Sequence, residues 1–315
     1  MNKKILALSA AAGAVAACAV AVHGYLNIMG SEKIPDGILK RIADKTNDIS
    51  FDELGEYTKN NAQWVHSQAI ENIDLKTTHN YTVKGYLLMS ERPSKVFVVF
   101  AHGYRSSHDG DPINFQRFYY EQGFNFLSFD HTAAGESEGN YVGFDYFESQ
   151  DTEEWIDYLV SRFGDDIKII LHGVSMGGAT VCQMASTVPK QVKFIVSDCA
   201  YTGALDEFDS VIKGVGIKHT GGILRAFNAM NRALAGFDLE LTDVRDSVKN
   251  SKVPMLFVHG SKDDFVPTKM GYELYDLCNA PKDLFIADGA EHAQSIMIDK
   301  EGYENKLLQF IEKYI

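Results

Sequence analysis

Short apolar runs recur along most of the chain, each closing on or just before Gly, Asp or His: Val96–Ala101, Phe124–Phe129, Ile167–Leu171, Val192–Val196, Met255–Val258 and Leu284–Ala287. Uninterrupted runs of this length suit parallel strands buried on both faces. Between them lie segments of helical character, at Asn114–Gln122, Tyr146–Phe163, Met176–Thr187, Lys269–Leu277 and Tyr303–Tyr314. The alternation predicts an α/β protein with a doubly wound, mostly parallel sheet. Ahead of it, Thr82–Met89 carries β-type residues and is expected to pair with Asp74–Tyr81. The rhythm breaks once, between Asp198 and Met255, where no strand signal occurs. There Ile223, Leu224, Phe227, Met230 and Leu234 fall on one helical face, with Gly221-Gly222 before them and Gly236 placed to end the helix. This interval reads as a small helical cap, at about 202–248, inserted after the sixth strand. Ordinary packing helices are the plainer alternative.

The N-terminus has a different pattern. Lys3-Lys4 precedes an apolar run from Ile5 to Val22, at the lower edge of what spans a bilayer. Lysines before the run and none just after predict the N-terminus inside and the body outside, on the extracytoplasmic side of the cell membrane. An uncleaved signal-anchor is the preferred reading, because apolar residues continue through Tyr25, Leu26, Ile28 and Met29. Ala19-Val20-Ala21 also has the form of a signal-peptidase site, and Val15-Ala16-Ala17-Cys18 that of a lipobox. The chain is thus expected to divide into a membrane segment (1–30), a polar helical stalk (31–73) and an α/β domain (74–315).

Composition narrows the function. The 315 residues are 45% hydrophobic and 23% charged, enough for a real core, and the formal charge is −13. An acidic chain argues against a nucleic-acid partner, since phosphate binding needs clustered cations. Four cysteines (Cys18, Cys182, Cys199 and Cys278) show no CxxC and no clustering with histidine, so neither a zinc ribbon nor a disulfide scaffold is expected. With no HExxH, P-loop or GxGxxG opening a βαβ unit, no metal or organic cofactor is implied.

The pattern G-x-S-x-G occurs twice, around Ser137 and around Ser175. A nucleophile elbow needs a buried strand directly before the serine and a helix directly after it. Ser175 meets that condition, between Ile167–Leu171 and Met176–Thr187. Ser137 lies several residues beyond its strand, between Glu136 and Glu138, where nearby carboxylates oppose alkoxide formation; it reads as a loop residue. A serine hydroxyl needs a base, an orienting acid and an oxyanion hole. Asp263 follows the strand Leu256–Val258, where catalytic groups of such sheets gather, and His292 follows Leu284–Ala287. The backbone N–H groups of Tyr104, after the first parallel strand, and of Met176 are the candidate oxyanion hole. Asp264 and Asp198 are rival acids. His131 is the rival base, although it would break the Ser…Asp…His order.

With these residues in place, the chain resembles the α/β-hydrolase superfamily over about residues 74–315. Within it, the sequence is similar to the serine-aminopeptidase-like branch, notably bacterial membrane-anchored esterase-like hydrolases. The resemblance rests on His102-Gly103, Asp130 with Gly135–Gly139, Gly173-Val174-Ser175-Met176-Gly177-Gly178, His259-Gly260, Asp263, Val266-Pro267 and Glu291-His292-Ala293. One departure is the absence of an Arg-Gly pair soon after Asp130, where His131-Thr132-Ala133-Ala134 stands instead. The resemblance implies the α/β-hydrolase fold and a serine hydrolase acting by acyl transfer through Ser175, His292 and Asp263. Carboxylic esters are the expected substrates, with amides, short peptides or thioesters next; a non-catalytic membrane-tethered binding protein is the alternative of another class. Phe227 and Met230 of the cap stripe are expected to bind substrate, favouring uncharged acyl groups of short to medium length.

Overall fold

The computed structural model describes residues 24–26, 28–30 and 51–315. The expected membrane segment at Ile5–Val22 therefore lies outside the described residues. Among the described residues no helix is long and apolar enough to cross a membrane.

Eight strands form one sheet: β1 (Ile70–Lys76), β2 (Thr82–Leu88), β3 (Val96–Ala101), β4 (Asn125–Asp130), β5 (Lys168–Val174), β6 (Val192–Asp198), β7 (Met255–Gly260) and β8 (Lys282–Ala287). Their order is β1-β2-β4-β3-β5-β6-β7-β8. β2 runs antiparallel to both of its neighbours, and all the pairings from β4 to β8 are parallel. The side-chain period of two makes each central strand serve two cores. Along β3, Phe97, Val99 and Ala101 enter one apolar cluster, while Val98 and Phe100 enter the other. This is why those runs read as continuously apolar rather than alternating.

Helices cover both faces. On one side lie α2 (Ile113–Glu121) and the C-terminal α10 (Lys300–Tyr314), which place Phe115 beside Phe100 and Phe310 beside Phe194. On the other lie α3 (Tyr146–Phe163), α4 (Met176–Met184) and α8 (Thr268–Leu277). Here Trp155 is fully buried near Phe129, and Tyr275 meets Phe257 edge-on. The helix expected as a stalk, α1 (Phe51–His66), does not lead away from this body. Its Tyr57 hydroxyl donates to the Asn114 carbonyl at 3.1 Å, and Trp64 packs edge-on against Tyr120 of α2. The sheet itself starts at Ile70, ahead of the boundary drawn at 74, because β1 pairs with β2 from Ile70 to Lys76.

Between β6 and β7 stands the helical insertion: α5 (Ala204–Gly214), α6 (Gly221–Leu234), a 3₁₀ turn (Leu239–Thr242) and the short α7 (Arg245–Lys249). Arg245 ties it down, reaching Asp206 of α5 at 2.5 Å, Asp243 at 2.9 Å and Glu273 of α8 at 2.6 Å. The residues around 24–30 dock on this cap. The Tyr25 hydroxyl donates to Asn231 at 2.9 Å, its ring packs on Phe227, and the Met29 carbonyl accepts from Val142 N–H at 2.7 Å. Tyr25 and Met29 are buried. These apolar residues, which extend the N-terminal run in the sequence, are thus part of the domain's core. The small helix α9 (Ser295–Ile298) completes the fold.

Candidate active site

Strand β5 ends at Val174 and α4 begins at Met176, so Ser175 must turn the chain within one residue. It does so with φ 59° and ψ −119°, a conformation costly for a side-chain-bearing residue and found where the surroundings impose it. The glycines of the motif make the turn feasible. A Cβ on Gly173 would fall 2.0 Å from the Gly177 carbonyl oxygen, and one on Gly177 would fall 2.0 Å from that of Ala101.

Three loops at the carboxyl edge of the sheet converge on this serine. His292, after β8, places Nε2 at 2.7 Å from Ser175 Oγ and Nδ1 at 2.8 Å from Asp263 Oδ2. Asp263, after β7, is fixed by its other oxygen, which accepts the N–H groups of Phe265 at 3.1 Å and Val266 at 2.9 Å. His259 Nε2 lies 3.3 Å from Oδ2 and 2.9 Å from the Val266 carbonyl. Burial alone would raise the Asp263 pKa, but His292 and His259 outweigh it and hold the carboxyl at about 2. Burial likewise opposes charge on His292; Cys199 and Asp263 outweigh it and push the imidazole pKa well above its ordinary value. A base held this way is geared to carry a proton in the course of a reaction.

The rivals lie elsewhere. Asp264 is exposed. Asp198 is buried and accepts from the Tyr303 hydroxyl at 3.0 Å; burial raises its pKa to about 6. His131 is packed against His102 and Phe129, and burial drives its pKa well down. Ser137 donates to the Asp130 carbonyl at 2.6 Å and accepts from Lys84 N–H at 2.9 Å, which pins its loop to β2. The loop that lacks the Arg-Gly pair is braced instead by Asp130. That carboxylate accepts from His108 N–H at 2.7 Å and Glu136 N–H at 2.8 Å.

Ser175 opens onto a cavity of about 110 Å³ beneath the cap, walled by aromatic and aliphatic side chains. Tyr104 and Met176, whose N–H groups are the candidate oxyanion hole, both line it. The loop carrying Tyr104 lies against the elbow, since a Cβ on Gly103 would meet Ser175 Cβ at 3.3 Å; Asp111 holds it there by accepting from Gly103 N–H at 2.7 Å. The Tyr104 hydroxyl donates to the Ile28 carbonyl at 2.7 Å, and Ile28 is itself a wall of the cavity. Of the cap stripe, Ile223, Leu224 and Phe227 line the cavity. Met230 does not; it turns against the core from the cap side, and Leu234 is exposed. The substrate-facing role expected for Met230 is therefore corrected to packing.

Two residues near Ser175, His292 and Asp263 carry no signal in the sequence. Cys199, at φ 44° directly after β6, brings its sulfur close to Asp263 and His292; burial pushes its thiol up to about 12. These three are the one group among the described residues whose donors lie close enough for a metal ion, and two of them already share a hydrogen bond. Glu207 of α5 lines the cavity, buried. Neither residue sits in a motif that would mark it.

Residues 96–216 match the family model described as alpha/beta hydrolase fold, and the strand order, elbow and loop placement agree with it. The chain has the α/β-hydrolase fold. Residues 231–293 also match a model described as serine hydrolase (FSH1). Among curated proteins, the chain is 21% identical to the uncharacterized protein YqkD of Bacillus subtilis, over 99% of this chain and 98% of that one. It is 23% identical to protein bem46 of Schizosaccharomyces pombe, over 68% of each. Among solved structures, the Pyrococcus furiosus esterase Pf2001 superposes with a TM-score of 0.64 at 20% identity, over 79% of this chain and 92% of that chain. The Pyrococcus horikoshii acylaminoacyl peptidase gives 0.57 at 15% identity, over 80% and 42%.

Proposed function

We propose that the protein is a serine hydrolase that cleaves carboxylic esters by way of an acyl-enzyme. The observation that carries this reading is the continuous relay from Asp263 through His292 to Ser175, opening on an apolar cavity. Ser175 Oγ attacks the ester carbonyl as His292 Nε2 takes its proton. Asp263 keeps the Nδ1 proton of His292 in place and stabilises the imidazolium. The N–H groups of Tyr104 and Met176 receive the developing oxyanion. His292 then protonates the leaving alcohol, and water, activated by the same imidazole, releases the acid.

The cavity supports short acyl groups. At about 110 Å³ it is smaller than the roughly 150 Å³ space that admits benzene in another protein. The test is a panel of p-nitrophenyl esters of graded chain length beside aminoacyl nitroanilides. Turnover of short esters, abolished in Ser175→Ala, supports the reading; cleavage confined to the anilides makes the enzyme a peptidase, and no Ser175-dependent turnover on either leaves the fold without this activity. We also propose that Ile5–Val22 holds the protein to the cell membrane with the domain outside. Fractionation should then find the full-length chain with membranes and open to added protease; a soluble chain of unprocessed mass would overturn this.

A further inference from the structure

The cavity beside Ser175 has one feature that an acyl pocket does not need. Glu207 lines it, is only 4% exposed, and has no hydrogen-bond partner on either carboxyl oxygen. A buried carboxyl without partners costs stability, and proteins keep such groups where something other than the fold uses them. No lysine or arginine is among the residues lining this cavity. The His292 imidazole acts on the carboxyl electrostatically but is already committed to Asp263 and Ser175. The rings of Tyr104, Phe144, Phe208, Phe227 and Phe265 line the same cavity. Ring faces are negative, and aromatic walls together with a carboxyl favour a cation.

We propose that Glu207 is a specificity-determining residue and that the part of the substrate entering this cavity is a short alkyl chain bearing a protonated amine. This rests on the esterase reading of the same cavity and narrows its substrate class. A hydroxyl would meet one of the carboxyl's needs and leave its charge uncompensated once ionised. An ammonium supplies several donors and the opposite charge at the same point. Burial raises the Glu207 carboxyl to about 8 and so favours its neutral form, and an arriving cation would draw out the charge. The cation thus finds a counter-ion that the free enzyme does not have to keep solvated.

The experiment measures binding to the full chain, by thermal shift and by competitive inhibition of ester hydrolysis, with n-butylammonium and butan-1-ol as equal-length probes. The expected result is at least tenfold tighter binding of butylammonium to the wild type, a difference lost in Glu207→Gln and reversed in Glu207→Leu. Equal or tighter binding of butan-1-ol to the wild type overturns the proposal, whether or not the variants fold. Retention of the ammonium preference in either variant overturns it as well. Thermal shift needs no turnover, so a protein that binds butylammonium through Glu207 yet hydrolyses no ester would fail the esterase reading and keep this one.

Discussion

Ser175 Oγ and His292 Nε2 stand 2.7 Å apart although 117 positions separate them in the chain. Ser137, in the second copy of the same five-residue pattern, has its hydroxyl committed to the Asp130 carbonyl. Ser175→Ala is expected to lower kcat on the order of 10⁴-fold or more. Ser137→Ala should keep most turnover and lose thermal stability, because its loop is released from β2. A fluorophosphonate probe followed by peptide mapping checks both; label on Ser137 would contradict the assignment.

Asp263 and Asp264 differ more than their adjacency suggests, one buried under two histidines and the other exposed. Asp263→Asn should reduce turnover by roughly 10³–10⁴-fold, and Asp264→Asn should be nearly silent. The pH profile carries the sign. His292 must be neutral to take the serine proton, and its pKa is raised above the ordinary 6.5. Activity should therefore fall, as pH drops, through a midpoint above 6.5, and Asp263→Asn should move that midpoint down. A kcat/KM profile with its acid limb below 6.5 in the wild type would overturn the electrostatic account.

Several buried carboxyls, with Asp198 and Asp145 among them, give a second pH effect, on stability. Burial is the leading cause in each: it raises Glu148 to about 7, and Asp151 and Glu207 to about 8. At these carboxyls the folded protein therefore keeps protons that the unfolded chain releases near pH 4, and their contribution to stability falls as pH rises from about 4 to about 8. The raised His292 acts in the same direction above 6.5. Asp263, lowered to about 2, acts oppositely and only below pH 4, and the buried His102, His131 and His172, whose pKa values burial lowers, act oppositely up to about 6.5. Urea midpoints between pH 6.5 and 8 should decline, and Asp151→Asn should flatten the decline. A midpoint that rises over this range would show that these groups ionise freely in the native state.

The cavity wall is drawn from distant parts of the chain, among them Ile28, the elbow and the cap. Ile28→Ala and Phe227→Ala should each shift the kcat/KM ratio between long and short esters by about tenfold toward the longer. Met230→Ala should lower the melting temperature and leave that ratio alone. A ratio moved by Met230→Ala and not by Phe227→Ala would mean that the cap sits differently over Ser175 in solution.

Much of this architecture is legible in the amino-acid sequence. Parallel strands buried on both faces announce themselves as apolar runs, so β3 is read to the residue, and the elbow is marked by glycines that the backbone cannot do without. Ser175, Asp263 and His292 follow because catalytic groups gather where such strands end. What lies between elements is not legible. A helical stripe shows which residues avoid water, not what they face, so Phe227 and Met230 look alike although one lines the cavity and the other packs. Glu207 and Cys199 carry no pattern at all, since each acquires its meaning from neighbours distant in sequence. Tyr25 and Met29 mislead in a simpler way, because an apolar residue bound for a bilayer and one bound for a protein core are the same residue.

The bond from Tyr104 to the Ile28 carbonyl has a mechanical side. A chain covers at most about 3.6 Å per residue, so Gly24 lies no farther than roughly 14 Å from Ile28. Whatever grips the chain ahead of that point grips the mouth of the cavity on a leash of under two nanometres. Tension on the N-terminus would be borne first by Tyr25 and Ile28, and through Tyr104 by the loop proposed to receive the oxyanion. With the N-terminal run attached as proposed, the opening would not be free to turn toward any direction in space, and a reactant dissolved near the point of attachment would meet it before one arriving from the bulk.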